Sequence, residues 1–272
     1  GENMNETKIE LHTAYGSAPL LCYEHEKGGE KLRPAMLVLP GGGYKGCSTP
    51  IEGIPIAMEF YQRGYNAYVL EYSCDPARFP TQLVQAATAM DTIRRRAEIC
   101  NTDSSSVFAV GFSAGGHLCG TLANCPSDFA PVKGLNFSPD GIVLCYAVIG
   151  GRPTHIWSFE SLLGGDGVPR GETAWLDLHT SVRKENPPAF LWSTAEDRDV
   201  PAVNSMRYAA ACGEKGVPYE LHVFPRGPHA MSLATERLWG AEKNKIDAEV
   251  ARWPKLADNF LRRAVAAKSK RK

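Results

Sequence analysis

Residues 107–117 read Val-Phe-Ala-Val-Gly-Phe-Ser-Ala-Gly-Gly-His, a short apolar run followed directly by the pattern Gly-x-Ser-x-Gly. Such a run is typical of a buried strand, and the residues after Ser113 are typical of a helix. Gly111 and Gly115 suit a turn that packs strand against helix too tightly for a Cβ atom. A serine on this kind of turn, the nucleophile elbow, exposes its hydroxyl above the sheet. The segment predicts a nucleophile at Ser113; the alternative is a glycine-rich structural turn.

Apolar runs alternate with amphipathic segments along the rest of the chain. The spacing predicts strands over residues 35–39, 66–72, 106–110, 141–149, 189–194 and 219–224, and helices over 80–97, 201–215 and 246–267, the last broken or kinked at Pro254. This alternation indicates an α/β protein with a mostly parallel, doubly wound sheet that helices cover on both faces. We expect a single domain over residues 1–272.

Residues 150–184 interrupt the alternation and are rich in glycine, histidine and tryptophan. We expect a short insertion or cap after the sixth strand, over the carboxyl edge of the sheet. An ordinary long surface connection is the alternative, because it would have the same sequence pattern. Trp157, Trp175 and Phe159 would shorten an acyl pocket if they lie above the serine; otherwise they pack into the core. Tyr44, outside this segment, is a further candidate for binding substrate.

The composition limits the partners and the compartment. The chain has 272 residues, 43% of them hydrophobic, and zero formal net charge, so a large core is expected and neither nucleic acid nor a membrane surface is indicated. Eight scattered cysteines show no C-x-x-C pair and no zinc spacing, which favours buried thiols and no metal. No apolar leader is visible, so we expect a cytoplasmic protein; secretion is the alternative if a signal peptide was removed before Gly1.

A serine needs a base to take its proton, and the chain has seven histidines. His229 follows the last predicted strand, at the edge of the sheet where catalytic groups collect. His117 lies one helical turn after Ser113, which suits packing or hydrogen bonding, and His222 lies within a strand. The pattern predicts His229 as the base.

The acid should follow the penultimate strand. Glu196, Asp197 and Asp199 lie in that loop, and Glu185 lies upstream of the strand. The residues alone do not choose between Asp197 and Asp199, since either could instead be a solvated loop residue or a cap for the next helix.

Donors for a developing oxyanion are expected from two segments. Residues 40–44, Pro-Gly-Gly-Gly-Tyr, follow the first predicted strand, and their amides could point into the site. Ala114, directly after the serine, would supply another donor. A structural glycine turn is the alternative. Residues 49–52, Thr-Pro-Ile-Glu, could form a capping box, but Pro55 does not suit one continuous helix, so we expect a short turn before a helix from about Pro55, with Glu52 as a structural residue.

Five blocks together resemble the bacterial α/β-hydrolase esterases related to acetylxylan esterases and to feruloyl/acetyl esterases of the BD-FAE type. The resemblance spans about residues 30–265 and rests on residues 39–44, 111–117, 187–192, 196–201 and 224–229. It implies the α/β-hydrolase fold, Asp197 as the acid that precedes Val200-Pro201, and Gly42 and Gly43 as oxyanion donors. Pro40 and Ser193 replace histidines that are common in such proteins.

The resemblance implies a serine carboxylesterase that hydrolyses short acyl esters, acetyl above all, on carbohydrate such as acetylated xylan or xylooligosaccharides. Such an enzyme works through an acyl-enzyme and needs no metal or organic cofactor, and its partner is a small-molecule or oligosaccharide ester. Two alternatives stay open: a small peptidase of the same fold, and a binding module without catalysis. The sequence does not indicate the oligomeric state.

Overall fold

A sheet of eight strands runs through the computed structural model, which describes residues 4–27, 32–151 and 155–269. The strands lie in the order β1-β2-β4-β3-β5-β6-β7-β8. Only the pairs β1/β2 and β2/β4 are antiparallel among the described strands, so the prediction of a mostly parallel sheet is confirmed. The strands are β1 (Met4–Thr13), β2 (Gly16–His25), β3 (Arg33–Leu39), β4 (Asn66–Leu70), β5 (Thr102–Phe112), β6 (Ile142–Cys145), β7 (Ala189–Thr194) and β8 (Tyr219–Phe224).

Helices cover both faces of the sheet, as a doubly wound fold requires. They are α1 (Ile54–Gln62), α2 (Thr81–Arg95), α3 (Ala114–Asn124), α4 (Trp157–Leu163), α5 (Val203–Lys215), α6 (Glu236–Trp239) and α7 (Trp253–Ser269). Successive residues of β3 alternate between two cores: Leu37 belongs to the core that includes residues of α2, α3 and α5, and Val38 to the core that includes residues of α1 and α7. Both faces of the strand are therefore buried, which explains its continuous apolar run.

The sequence did not predict the antiparallel hairpin of β1 and β2. Most side chains of β1 are exposed, because the strand lies at the edge of the sheet. A strand whose side chains mostly face solvent leaves no apolar run to detect.

The structure corrects two predicted boundaries, the end of one strand and the start of the last helix. The strand expected over 141–149 ends at Cys145, since Tyr146 has a φ of 35° and leaves the extended conformation. The helix expected over 246–267 begins only at Trp253. Pro254 lies in its first turn, where the absent N–H has no intrahelical partner to lose, so Pro254 starts the helix rather than breaking it.

The segment over residues 150–184 follows β6, the sixth strand, and packs beside α3. It contains α4 and two short 3₁₀ turns, Gly171–Leu176 and Leu178–Thr180; residues 152–154 lie outside the described residues. The amide of Leu178 donates to the carbonyl of Ile149 at 2.9 Å, which holds the segment against the end of β6. A substrate cap here stays a prediction.

Candidate active site

Ser113 lies between the end of β5 and the start of α3. Its φ of 52° and ψ of −118° are strained for a residue with a side chain. A Cβ atom on Gly111 would overlap the carbonyl of Gly115, and one on Gly115 would overlap the carbonyls of Leu39 and Pro40. The two glycines are therefore a steric requirement of this turn. The Ser113 amide donates to the Cys145 carbonyl at 3.1 Å, which ties the turn to β6.

Three side chains from three loops form one hydrogen-bonded chain. Ser113 Oγ lies 2.8 Å from His229 Nε2, and His229 Nδ1 lies 2.6 Å from Asp197 Oδ2. Because a carboxylate only accepts, Nδ1 carries the proton, and Nε2 is free to accept the serine proton. Only 13% of the His229 side chain and 1% of the Asp197 side chain are exposed. The arrangement suits removal of the serine proton by the imidazole.

The structure brings Asp197 to the imidazole and leaves the Asp199 side chain at the surface. Asp199 contributes its backbone instead: its amide and that of Val200 donate to Asp197 Oδ1, at 3.0 Å and 2.9 Å. These two bonds fix the carboxylate so that its other oxygen faces His229. The side chain of Glu196 accepts from the Gly227 amide at 3.0 Å, which joins the loops after β7 and β8.

Three backbone amides beside Ser113 are available as donors. Within the described ranges, the N–H groups of Gly42, Gly43 and Ala114 have no hydrogen-bond acceptor. The amide of Gly41, by contrast, donates to Glu52 Oε2 at 2.9 Å. Gly42 and Gly43 have φ angles of 130° and 64°, a region that favours glycine. An oxyanion formed at Ser113 could therefore accept hydrogen bonds from these three amides.

Glu52 has a larger place in the site than the sequence indicated. A short turn over Thr49–Gly53 precedes α1, as expected, and no capping box forms: Ser48, at the cap position, makes no side-chain cap bond, and Thr49 Oγ1 donates to Glu71 Oε1 at 2.9 Å. Glu52 is 3% exposed, and its Oε1 accepts from the Tyr146 hydroxyl at 2.7 Å, while that hydroxyl accepts from the Ser232 amide at 3.0 Å. Burial raises the pKa of Glu52, and hydrogen bonds from Tyr146 and Gly41 oppose this effect.

Tyr146 in turn contacts the imidazole of His229, with the ring centroids 5.0 Å apart in an edge-to-face arrangement. Glu52 thus connects the glycine run, the end of β6 and the loop of His229. An acidic residue shortly after the glycine run was the available signal, but sequence spacing could not show that three loops converge on it.

His117 is a structural residue in this fold. Its Nε2 donates to the Leu176 carbonyl at 2.8 Å, so its Nδ1 accepts from the Tyr44 hydroxyl, also at 2.8 Å. Burial lowers the pKa of His117 to about 4. The expectation that Tyr44 binds substrate is corrected: its φ of 60° turns the ring into the core, between Tyr72 and His117.

The aromatic residues of the segment after β6 lie in different places. Trp157 is 41% exposed, and its ring covers Gly43, where a Cβ atom would overlap it. Phe159 is buried against His117, so it belongs to the core. Trp175 packs on Phe79 in a separate groove of about 610 Å³ that includes none of the three hydrogen-bonded side chains. A substrate contact stays a prediction for Trp157, and the structure does not bring Trp175 to the serine.

A cleft of about 870 Å³ opens on the side of His229. Loop residues after β7 and β8 line it, among them Arg198 and Arg226. His155 lies next to Asp199, a residue of the cleft lining: its Nδ1 is 2.9 Å from the Asp199 carbonyl oxygen, and its ring contacts Trp157. The imidazole that meets the serine hydroxyl therefore lines a surface cleft bounded by loops at the carboxyl edge of the sheet.

Two family models match the sequence. The prolyl oligopeptidase family matches residues 90–247, more than half of the chain, and the BD-FAE family matches residues 22–129. The crystal structure of an acetyl ester-xyloside bifunctional hydrolase from Caldicellulosiruptor lactoaceticus is 33% identical, with a TM-score of 0.75, and the match covers 89% of this chain and 88% of that one. The chain belongs to the α/β-hydrolase esterases, within the prolyl oligopeptidase family. The α/β-hydrolase fold implied by its motifs is thereby confirmed.

Two curated relatives of this α/β-hydrolase are longer proteins. Endo-1,4-beta-xylanase B of Butyrivibrio fibrisolvens is 38% identical over 248 residues, which are 86% of this chain and 38% of that protein. The acetylxylan esterase of Xylanibacter ruminicola is 27% identical over 246 residues, 88% of this chain and 48% of that protein. The chain spans less than half the length of each. Within the ranges that the structure describes, no helix has the length and hydropathy required to cross a bilayer.

Proposed function

We propose that this α/β-hydrolase is a serine carboxylesterase that removes short acyl groups, acetyl above all, from carbohydrate esters such as acetylated xylooligosaccharides. The proposal rests on the continuous hydrogen-bonded chain from Ser113 through His229 to Asp197. The available amides of Gly42, Gly43 and Ala114 support it, because acyl transfer requires donors where negative charge develops.

The chemistry follows from the positions of the groups. His229 Nε2 takes the Ser113 proton while Oγ attacks the ester carbonyl, and Asp197 stabilises the imidazolium that forms. The amides hold the oxyanion of the tetrahedral intermediate. His229 then gives its proton to the leaving alcohol, which leaves an acyl-enzyme. A water molecule, deprotonated by the same imidazole, releases the acid and restores the serine. No metal or organic cofactor takes part.

The proposed substrate comes from the relatives. The proteins similar to this chain include a xylanase, an acetylxylan esterase and an acetyl ester-xyloside bifunctional hydrolase, and these names refer to xylan, its acetyl esters or xylosides. Trp157 over Gly43 supports a short acyl group, because a bulky ring beside an oxyanion donor limits the room for an acyl chain.

A fluorophosphonate probe and an ester panel test the proposal. The probe should label Ser113, and acetyl and propionyl esters should have higher kcat/KM than octanoyl esters by several tenfold steps, since one methylene is worth about 1–3 kcal/mol at most. Acetylated xylooligosaccharides should release acetate. No labelling of Ser113 would favour the binding module without catalysis. Equal kcat/KM from acetyl to octanoyl would instead indicate a broad carboxylesterase.

A peptidase of the same fold is the second candidate, because the prolyl oligopeptidase family matches more than half of the chain. Aminoacyl p-nitroanilides distinguish the two. Turnover of these amides, with none of p-nitrophenyl acetate, would overturn the esterase proposal while leaving the roles of Ser113, His229 and Asp197 in place.

A further inference from the structure

Cys47 and Cys74 face each other beside the glycine run. Their Sγ atoms are 3.8 Å apart, and each thiol also lies 3.4 Å from the carbonyl oxygen of Tyr72. Both residues are half-buried, whereas the other six cysteines are buried. Because a disulfide needs an Sγ–Sγ separation of about 2.05 Å, modest side-chain rotations would bring the two sulfurs to bonding distance.

The two thiols have different acidities. The hydrogen bond between the two thiols lowers the pKa of Cys74 and raises that of Cys47, and burial raises the pKa of Cys47 further. Cys74 differs in this from cysteines elsewhere in the fold, whose pKa values are raised by burial. The pKa of Cys100 is raised to about 11, and those of Cys22, Cys125 and Cys212 to about 12. A thiolate, not a thiol, attacks an oxidant, so Cys74 is the cysteine best suited to react.

We propose that Cys47 and Cys74 form a redox modification site, which a two-electron oxidant such as hydrogen peroxide converts to a disulfide that slows ester hydrolysis. The Cys74 thiolate attacks one peroxide oxygen, which breaks the O–O bond and leaves a sulfenic acid and hydroxide. The sulfur of Cys47 displaces the sulfenic oxygen as water. In total, two thiols and one peroxide give one disulfide and two water molecules.

The cysteine pair is joined to the proposed oxyanion donors through the backbone. The amides of Lys45 and Gly46 donate to the Gly42 carbonyl at 3.0 Å and 3.2 Å. A Cβ atom at Gly42 would overlap the Gly46 carbonyl and would lie 3.5 Å from the nitrogen of Cys47, so the peptide bond that leads into Cys47 packs against this glycine. Movement of Cys47 toward Cys74 should therefore displace Gly42.

A second contact couples the two loops that carry the cysteines. The amide of Asp75 donates to the Tyr44 carbonyl at 2.8 Å, between the cysteines and Gly43. Since a displacement of about 1 Å in a catalytic group can lower turnover by about 10²-fold, a disulfide here should reduce kcat. This effect on turnover rests on the proposed esterase function; formation of the disulfide does not.

The test oxidises the full chain and follows mass and activity together. Reduced protein is treated with hydrogen peroxide, quenched with catalase, alkylated and mapped by mass spectrometry. We expect the loss of two hydrogens in a single peptide pair that links Cys47 to Cys74. With p-nitrophenyl acetate, kcat should fall roughly tenfold and recover after dithiothreitol.

Matched variants separate this pair from the other thiols. Cys47→Ser and Cys74→Ser should form no linked pair and keep their kcat after peroxide, whereas Cys125→Ser should respond like the wild type. A map in which Cys47 and Cys74 both remain alkylated would overturn the proposal. A linked pair with unchanged kcat would overturn its effect on turnover. If no form hydrolyses esters, the proposed function and that effect both fail, and the linked peptide alone decides the disulfide.

Discussion

Two histidines near Ser113, His117 and His229, differ in their hydrogen-bond partners and in their exposure to solvent. His117 is four residues away on α3, and both of its ring nitrogens bind neutral partners, the Tyr44 hydroxyl and the Leu176 carbonyl. His229 is more than a hundred residues away, and its nitrogens meet Asp197 and the serine hydroxyl. Burial holds His117 neutral, since it lowers the pKa to about 4, while the ring of His229 is partly exposed beside a carboxylate.

The difference shows that partners and access, rather than proximity along the chain, decide what an imidazole does. A carboxylate stabilises the imidazolium that forms when the serine proton is taken, and a tyrosine hydroxyl does not. The partner of His117, Leu176, comes from the segment after β6, so this segment stabilises the helix that carries the serine. Four changes test or refine the contrast.

The largest effect is expected at the serine. Ser113→Ala should lower kcat for p-nitrophenyl acetate by roughly 10⁴-fold or more, because loss of one member of a catalytic unit removes most of the catalysis. Thermal unfolding should give a Tm close to that of the wild type, as a folding control. Activity within a tenth of the wild-type value would rule out Ser113 as the nucleophile.

The two aspartates of the β7 loop should differ strongly. Asp197→Asn should reduce kcat by about 10³–10⁴-fold, because an amide no longer selects the tautomer of His229 that accepts the serine proton. Asp199→Asn is the matched control and should have a much smaller effect, because Asp199 contacts Asp197 through its backbone amide alone. A reversed order in steady-state kinetics would make Asp199 the acid.

Glu52→Gln should lower kcat roughly tenfold with little change in KM, because small displacements of donor groups slow turnover. An amide cannot accept with both ends, so either the Gly41 amide or the Tyr146 hydroxyl loses its acceptor. Glu71→Gln is the matched control, since Glu71 accepts from Thr49 in the same turn and is not bonded to Gly41. Equal kcat values for the two variants would contradict the role given to Glu52.

The smallest effect on activity is expected at His117, whose contribution is to stability. Burial lowers the pKa of His117 from about 6.5 to about 4, so on acidification the unfolded chain binds the proton first. The stabilisation is complete above pH 6.5 and is lost as the pH falls toward 4, by about 3 kcal/mol at most. Urea unfolding of the wild type and of His117→Gln should show a steeper decline for the wild type in this window. Parallel declines, or a large loss of kcat in the variant, would contradict the assignment.

Motifs at strand ends were predictable because they carry strong local constraints. Gly111 and Gly115 leave no room for a Cβ atom, and a helix begins directly after Ser113 as the pattern indicates. The edge strand β1 of the hairpin was missed because its side chains are mostly exposed. Pro254 was misread because a proline that breaks a helix interior also suits a first turn, and only packing shows which applies.

The candidate site was predicted in part for the same reason. Ser113, His229 and the glycine run follow strands, and parallel strands bring such loops to one edge of a sheet. Tyr44 was misassigned because its position beside the glycines suggested the cleft, whereas its backbone conformation turns the ring inward. Glu52 was understated because its partners, Gly41 and Tyr146, lie on either side of it in the chain and meet only in the fold.

The sequence by itself determined the alternation of strands and helices, the strained serine turn and the order of the chemical groups along the chain. These depend on apolar spacing and on glycine sterics, which act over a few residues. The tertiary structure alone decided that Asp197 faces His229, that Glu52 joins three loops and that Cys47 meets Cys74. Each depends on distances between segments far apart in the chain, and such distances arise only when the sheet brings its loops together.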